Sequence, residues 1–124
     1  MRILVVDDNH NLAMILGDYL AEKGHRVVPA YDGNLGLLLY EHRHFDVVVI
    51  DLALPGLSGI ELLERIRKKD STVRVIIITG CPDPLNGDRL RELDIEALVE
   101  KPFSFSDIDG IIKHLESGKY SATA

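Results

Sequence analysis

Val47-Val48-Val49-Ile50-Asp51 is the stretch that decides the fold: four consecutive β-branched apolar residues that stop at a carboxylate. Branching at Cβ stiffens χ1 and suits extended backbone. A strand that is apolar at consecutive positions has neither face in water, which is the condition of a parallel sheet with helices on both sides. Working outward, the same pattern recurs. Ile3-Leu4-Val5-Val6 runs into Asp7-Asp8, Val73 to Ile78 runs into Thr79-Gly80, and Ala97-Leu98-Val99 precedes Lys101-Pro102. Arg26-Val27-Val28 is a weaker run between the first two.

Helical spacing fills the intervals. Leu12, Ile15, Leu16, Tyr19 and Leu20 form one apolar stripe, with Gly24 placed to stop the helix. Leu35, Leu38 and Leu39 form a second. Ser58-Gly59-Ile60-Glu61 reads as a capping box opening a third helix, with Ile60, Leu63 and Ile66 inward. Ile108, Ile111, Ile112 and Leu115 make the last stripe, after a cap at Ser104 or Ser106. Cys81-Pro82-Asp83-Pro84-Leu85-Asn86-Gly87 carries two prolines and a glycine where a fourth helix should start. Proline is excluded from a helix interior, so a loop is expected there, with a short helix near Asp88 to Leu93. Strictly alternating strands and helices give an α/β domain with a parallel sheet, right-handed crossovers and helices on both faces.

The chain of 124 residues is long enough for one domain with a real core. Its net charge of −6 argues against nucleic-acid binding, which rests on basic patches facing phosphates. The local run Arg65, Arg67, Lys68 and Lys69 reads as a solvated helix end. With Cys81 alone there is no internal disulfide, as in a reducing compartment. The apolar N-terminal run ends at Asp7 after four residues, too short for a signal peptide, and no run approaches the ~20 residues of a membrane span. A cytoplasmic location without membrane contact is expected. Residues 118–124 show no periodicity and read as a linker stub or disordered tail, as in a piece cut from a larger protein.

Ligands of an open parallel α/β sheet bind beyond the carboxyl ends of its strands. The strand ends carry Asp7-Asp8, Asp51, Thr79-Gly80 and, after the fifth strand, Lys101-Pro102. Three carboxylates brought together repel unless a cation joins them, and Mg²⁺ takes such oxygen ligands. Lys101 adds a compact positive charge suited to phosphate, and Thr79 a hydroxyl donor. Acids alone would describe a metal site; with the lysine and the threonine the expectation is a phosphoryl site.

Val5-Val6-Asp7-Asp8-Asn9, Val49-Ile50-Asp51-Leu52-Ala53-Leu54-Pro55-Gly56, Ile77-Ile78-Thr79-Gly80 and Lys101-Pro102-Phe103, in this order and spacing, resemble the response-regulator receiver family of two-component signalling over residues 1–117. The resemblance implies a single three-layer, flavodoxin-like (βα)5 domain with strand order 2-1-3-4-5. It implies that Asp51 is the phosphoacceptor and that Asp8 binds Mg²⁺ directly and Asp7 through water. The backbone carbonyl of Ala53 would complete the protein's share of the coordination. Thr79 would be the switch hydroxyl, and Lys101, joined to Pro102 by a cis bond in similar proteins, would contact the phosphoryl group. The implied donor is a histidine kinase or phosphotransfer protein, and the implied output surface is the face of helix four, strand five and helix five. Such a domain assists its own phosphorylation and dephosphorylation but is not an enzyme.

Leu98 departs from the pattern, because similar proteins place Tyr or Phe three residues before the lysine; simple core filling is the expectation for it. Other functions fit the same residues less well. A pseudo-receiver that only binds proteins would not need the full set Asp7, Asp8, Asp51, Thr79 and Lys101. A phosphatase with an aspartyl-phosphate intermediate would want an acid two residues after Asp51, where Ala53 stands. A flavin protein would not put Asp7-Asp8 against a ligand phosphate.

Overall fold

The computed structural model describes residues 1–80 and 84–117, the side chains of 84–86 excepted. The strands are β1 (Arg2–Val6), β2 (Arg26–Ala30), β3 (Val47–Asp51), β4 (Arg74–Thr79) and β5 (Ala97–Glu100). All pair in parallel, in the order β2-β1-β3-β4-β5. The helices are α1 (His10–Glu22), α2 (Gly33–His42), α3 (Gly59–Lys69), α4 (Pro84–Glu92) and α5 (Phe105–Glu116).

The central strands are buried on both faces, as their unbroken apolar runs require. Alternate residues feed opposite layers. Leu4, Val6, Val48, Ile50, Val75 and Ile77 pack with Leu62, Leu63 and Ile66 of α3 and Leu90 of α4. Ile3, Val5, Val47, Val49, Ile76 and Ile78 pack with Leu16 and Leu20 of α1 and Ile108 and Ile112 of α5. β2 lies at the edge, which is why it tolerates Pro29.

Local signals hold where a cap or a turn specifies them. Asn9 caps α1 by accepting from the Leu12 N–H, and Gly24 follows that helix at φ +96°. Ser58 and Glu61 form the reciprocal capping box of α3. Ser104, not Ser106, caps α5.

Four expectations are corrected. First, α4 starts at Pro84, so residues 84–88 are helical rather than a loop; a first-turn proline gives up an N–H that no helix bond would use. Residues 81–83 of that expected loop, and the expected tail 118–124, lie outside the described residues. Second, Leu35 and Leu38 of α2 are exposed, Leu38 by 53%. The buried face is set by Gly33 and Gly36: a Cβ on Gly36 would lie 2.9 Å from Val6 Cγ2, so α2 sits too close to β1 for a large side chain between them. Ile15 of α1 is likewise exposed. Third, Leu98 is 44% exposed rather than core filling, because β5 is an edge strand of the sheet. Fourth, Arg67 is not a solvated charge. Its guanidinium donates to the carbonyls of Val73 and Leu93 at 2.7 Å each, of Asp94 at 2.8 Å and of Asp70 at 3.3 Å, and so ties α3 to the loops entering β4 and β5.

Candidate functional site

Every residue of the expected site lies at the carboxyl edge of the sheet. Asp51 closes β3, Thr79 closes β4, Asp7 and Asp8 follow β1, and Lys101 follows β5. Asp51 pairs in register with Ile78, so Thr79 stands one residue further along the neighbouring strand. The backbone N–H of Lys101 donates to the Thr79 carbonyl at 2.8 Å, which fixes the lysine beside β4. Its bond to Pro102 is cis.

The side chains converge as the strand ends do. Carboxylate oxygens of Asp7, Asp8 and Asp51 lie within 4.8 Å of one another. The Lys101 ammonium stands 2.9 Å from Asp51 Oδ2 and 3.9 Å from Asp7 Oδ2. Asp7 and Asp51 are buried, 1% and 3% exposed, and Thr79 is buried beside them, whereas Asp8 faces solvent. Each buried acid is aimed by a backbone N–H two residues on: Asn9 donates to Asp7 Oδ1 at 2.9 Å, and Ala53 to Asp51 Oδ1 at 3.0 Å. Ala53 itself is exposed, on the loop beside the pocket.

Two residues whose part in the site the sequence does not reveal complete the frame. Gly59 begins α3 directly against the phosphoacceptor candidate: a Cβ there would lie 2.5 Å from the Asp51 carbonyl oxygen. Ser-Gly-x-Glu marks the helix start, but nothing in it tells that the glycine is demanded by a contact. The second is Asn9, whose backbone N–H holds Asp7 while its side chain caps α1.

The electrostatics are those of a site built for a cation. Burial, above all, pushes the Asp7 carboxyl up to about 6; the Asn9 N–H pulls it back, the Asp51 charge pushes it up, and Lys101 pulls it down. Burial alone would lower the Lys101 pKa, but its hydrogen bond to Asp51 and the charges of Asp7, Asp51 and Asp8 together raise it, so the ammonium stays charged. Asp7 Oδ2 is buried without a hydrogen-bond partner. A buried, unsatisfied carboxylate oxygen within reach of two other acids fits a hard divalent cation with oxygen ligands.

The model of the response regulator receiver domain matches residues 3–113. Sporulation initiation phosphotransferase F of Bacillus subtilis is 30% identical over 115 residues, covering 92% of this chain and 93% of its own. The uncharacterized transcriptional regulatory protein YkoG of Bacillus subtilis is 37% identical, and response regulator ArlR of Staphylococcus aureus 35%. Those matches cover 86% of this chain, which spans about half the length of both proteins. A CheY-like response regulator receiver domain protein from Methanospirillum hungatei JF-1 superposes with a TM-score of 0.89 at 27% identity, covering 97% of both chains. The Francisella response regulator 1452 receiver domain is 30% identical at a TM-score of 0.83, covering 97% of this chain and 98% of its own. With five parallel strands in the order 2-1-3-4-5, the acids and the lysine at their carboxyl edge and a family match across nearly its whole length, this chain belongs to the response regulator receiver domain family of two-component signalling.

Proposed function

We propose that the domain is a phosphorylation-operated switch that accepts a phosphoryl group on Asp51 from a histidine kinase or phosphotransfer protein. The observation that carries this reading is the Lys101 ammonium 2.9 Å from Asp51 Oδ2, in a pocket where Asp7 and Asp8 also converge. Asp7, Asp8, Asp51 and the Ala53 carbonyl would hold Mg²⁺, which supplies charge neutralisation at phosphoryl oxygens.

In the transfer, a carboxylate oxygen of Asp51 forms a bond to phosphorus as the bond from phosphorus to the donor nitrogen breaks, and that imidazole nitrogen takes up a proton. The Ala53 N–H and the Lys101 ammonium each donate to an oxygen of the Asp51 carboxylate and hold it in place for this attack. When the phosphoryl group takes a carboxylate oxygen, Lys101 is freed to follow negative charge onto the new phosphoryl oxygens. Thr79 stands on the adjacent strand end to donate its hydroxyl there, drawing the end of β4 toward the acyl phosphate. The result is a population shift, not turnover of an external substrate. The face of α4, β5 and α5, with Leu98 exposed on it, would deliver the signal to an output domain or partner.

Acetyl phosphate with Mg²⁺ should add one phosphoryl mass to the wild-type chain and none to Asp51→Asn. Equal labelling of both proteins, or labelling in excess chelator, would overturn the assignment.

A further inference from the structure

At the opposite end of the sheet lies a feature that the phosphoryl site does not use. Arg2, Arg26, Val28, Arg43, His44 and Phe45 line a concavity of about 330 Å³. Arg2 and Arg26 open β1 and β2, and Arg43 and His44 follow α2. From Arg2 to Asp7 the chain runs roughly 16 Å at strand rise, so the two sites are separate.

The arginines of this pocket are set apart from the others. The chain has eight arginines. Arg67 is held by backbone carbonyls, and Arg74, Arg89 and Arg91 by carboxylates. Among the described residues, the side chains of Arg2, Arg26, Arg43 and Arg65 make no hydrogen bond or ion pair, and three of these four line the pocket. Arg2 and Arg26 are also direct register partners on adjacent strands, an arrangement of like charges that destabilises a sheet. The nearby carboxylate, Asp46, is already engaged by the Arg2 backbone N–H at 2.7 Å and by His44 at 3.2 Å. A charge on edge strand β2 discourages edge pairing, and a cation after α2 meets the helix dipole. Neither effect explains a second guanidinium directly beside Arg26, nor why all three converge on one hollow in a chain of net charge −6.

We propose that this pocket binds a small phosphate-bearing molecule. Guanidinium groups match phosphate oxygens through paired N–H donors, and every strong cation here is an arginine rather than a lysine. The volume falls in the range of small-ligand pockets, and Val28 and Phe45 supply an apolar wall for the rest of such a molecule. The anion would relieve the Arg2–Arg26 repulsion, so binding also stabilises the fold.

Amide NMR titration of the whole chain with pyrophosphate and, separately, with ADP tests this. Excess chelator and matched ionic strength keep the Asp51 pocket out of play. The expected result is saturable shifts at residues 2, 26 and 43–45, little change at 7–8, 51–53 and 101, and at least tenfold weaker binding in Arg26→Gln/Arg43→Gln. Arg65→Gln, which removes the unpaired arginine outside the pocket, should bind as the wild type does. Response to pyrophosphate alone identifies an inorganic polyphosphate, and tighter binding of ADP identifies a nucleoside phosphate. No saturable shift with either probe, shifts confined to the Asp51 pocket, or undiminished binding in the double variant would overturn the proposal. Acetyl phosphate labelling of Asp51 should be unchanged in the double variant, so failure here stays distinguishable from failure of the phosphoacceptor assignment.

Discussion

Replacing Gly59 by alanine tests the link between the start of α3 and the phosphoacceptor candidate. A Cβ at this position would lie 2.5 Å from the Asp51 carbonyl oxygen, 2.6 Å from Leu52 Cα and 3.1 Å from the Asp51 carbonyl carbon. These are backbone atoms, so none can rotate away. Carbon contacts are comfortable near 3.5–4.0 Å, and α3 must therefore retreat by roughly 1 Å. Overpacking of this kind costs about 1–3 kcal/mol. The retreat also weakens the 3.2 Å bond from the Gly59 N–H to the Leu52 carbonyl, for about 1 kcal/mol more. The better helix propensity of alanine returns up to about 1 kcal/mol. The net expectation is a loss of about 1–3 kcal/mol, a large share of the roughly 5–15 kcal/mol that holds a domain together. Because the clash falls on Asp51 and Leu52, labelling by acetyl phosphate should slow by about tenfold or more, as displacements near 1 Å do at reacting centres. Urea unfolding followed by circular dichroism reads the first effect, and intact-mass kinetics the second. Gly110→Ala is the control: its Cβ would meet nothing within 4 Å on the exposed side of α5, so it should gain about 0.5–1 kcal/mol. If Gly59→Ala unfolds at or above the wild-type midpoint while Gly110→Ala behaves as stated, the close approach does not constrain this site.

Asp8→Ala should lose most Mg²⁺ binding in calorimetry while keeping the wild-type urea midpoint, since Asp8 is exposed and makes no core contact; unchanged binding removes it as a ligand. Lys101→Ala should fold but be impaired in phosphorylation or switching; wild-type labelling kinetics together with unchanged activated-state NMR shifts would rule the lysine out. Arg67→Met should cost about 2–3 kcal/mol, and Arg67→Lys nearly as much, because a single ammonium cannot reach the four carbonyls that the guanidinium spans; urea midpoints decide. The Asp70 carboxyl is held down to about 2, first by the Thr72 hydroxyl, then by the Thr72 N–H, and also by Tyr40 and Val73. A depressed acid adds stability that is whole above its ordinary 3.8 and is lost as pH falls from 4 toward 2. Asp70→Asn should therefore flatten the acid limb of stability in that window by about 1 kcal/mol after solvent screening, and an equally steep limb in the variant would refute the coupling.

The amino-acid sequence by itself determined the layers, the sheet and the meeting of Asp7, Asp8, Asp51, Thr79 and Lys101. Runs such as Val47 to Ile50 can satisfy both faces only inside a parallel sheet, and the strand ends of such a sheet share one edge. Caps at Ser58 and the turn at Gly24 were legible because they are local hydrogen-bond and φ requirements. Tertiary structure alone decided what depends on elements far apart in the chain. Helical periodicity could not tell that Gly36 faces β1 and Gly33 the backbone of Leu57, while Leu35 and Leu38 face outward, because that turns on how near α2 comes. Nor could it tell that Arg67 spans two loops, that Leu98 is turned outward, or that Gly59 is pressed on Asp51. The raised Asp7 carboxyl and the unpaired arginines at the far edge have the same origin: charge is written in the sequence, but its burial and its neighbours are set only when the strands lie side by side.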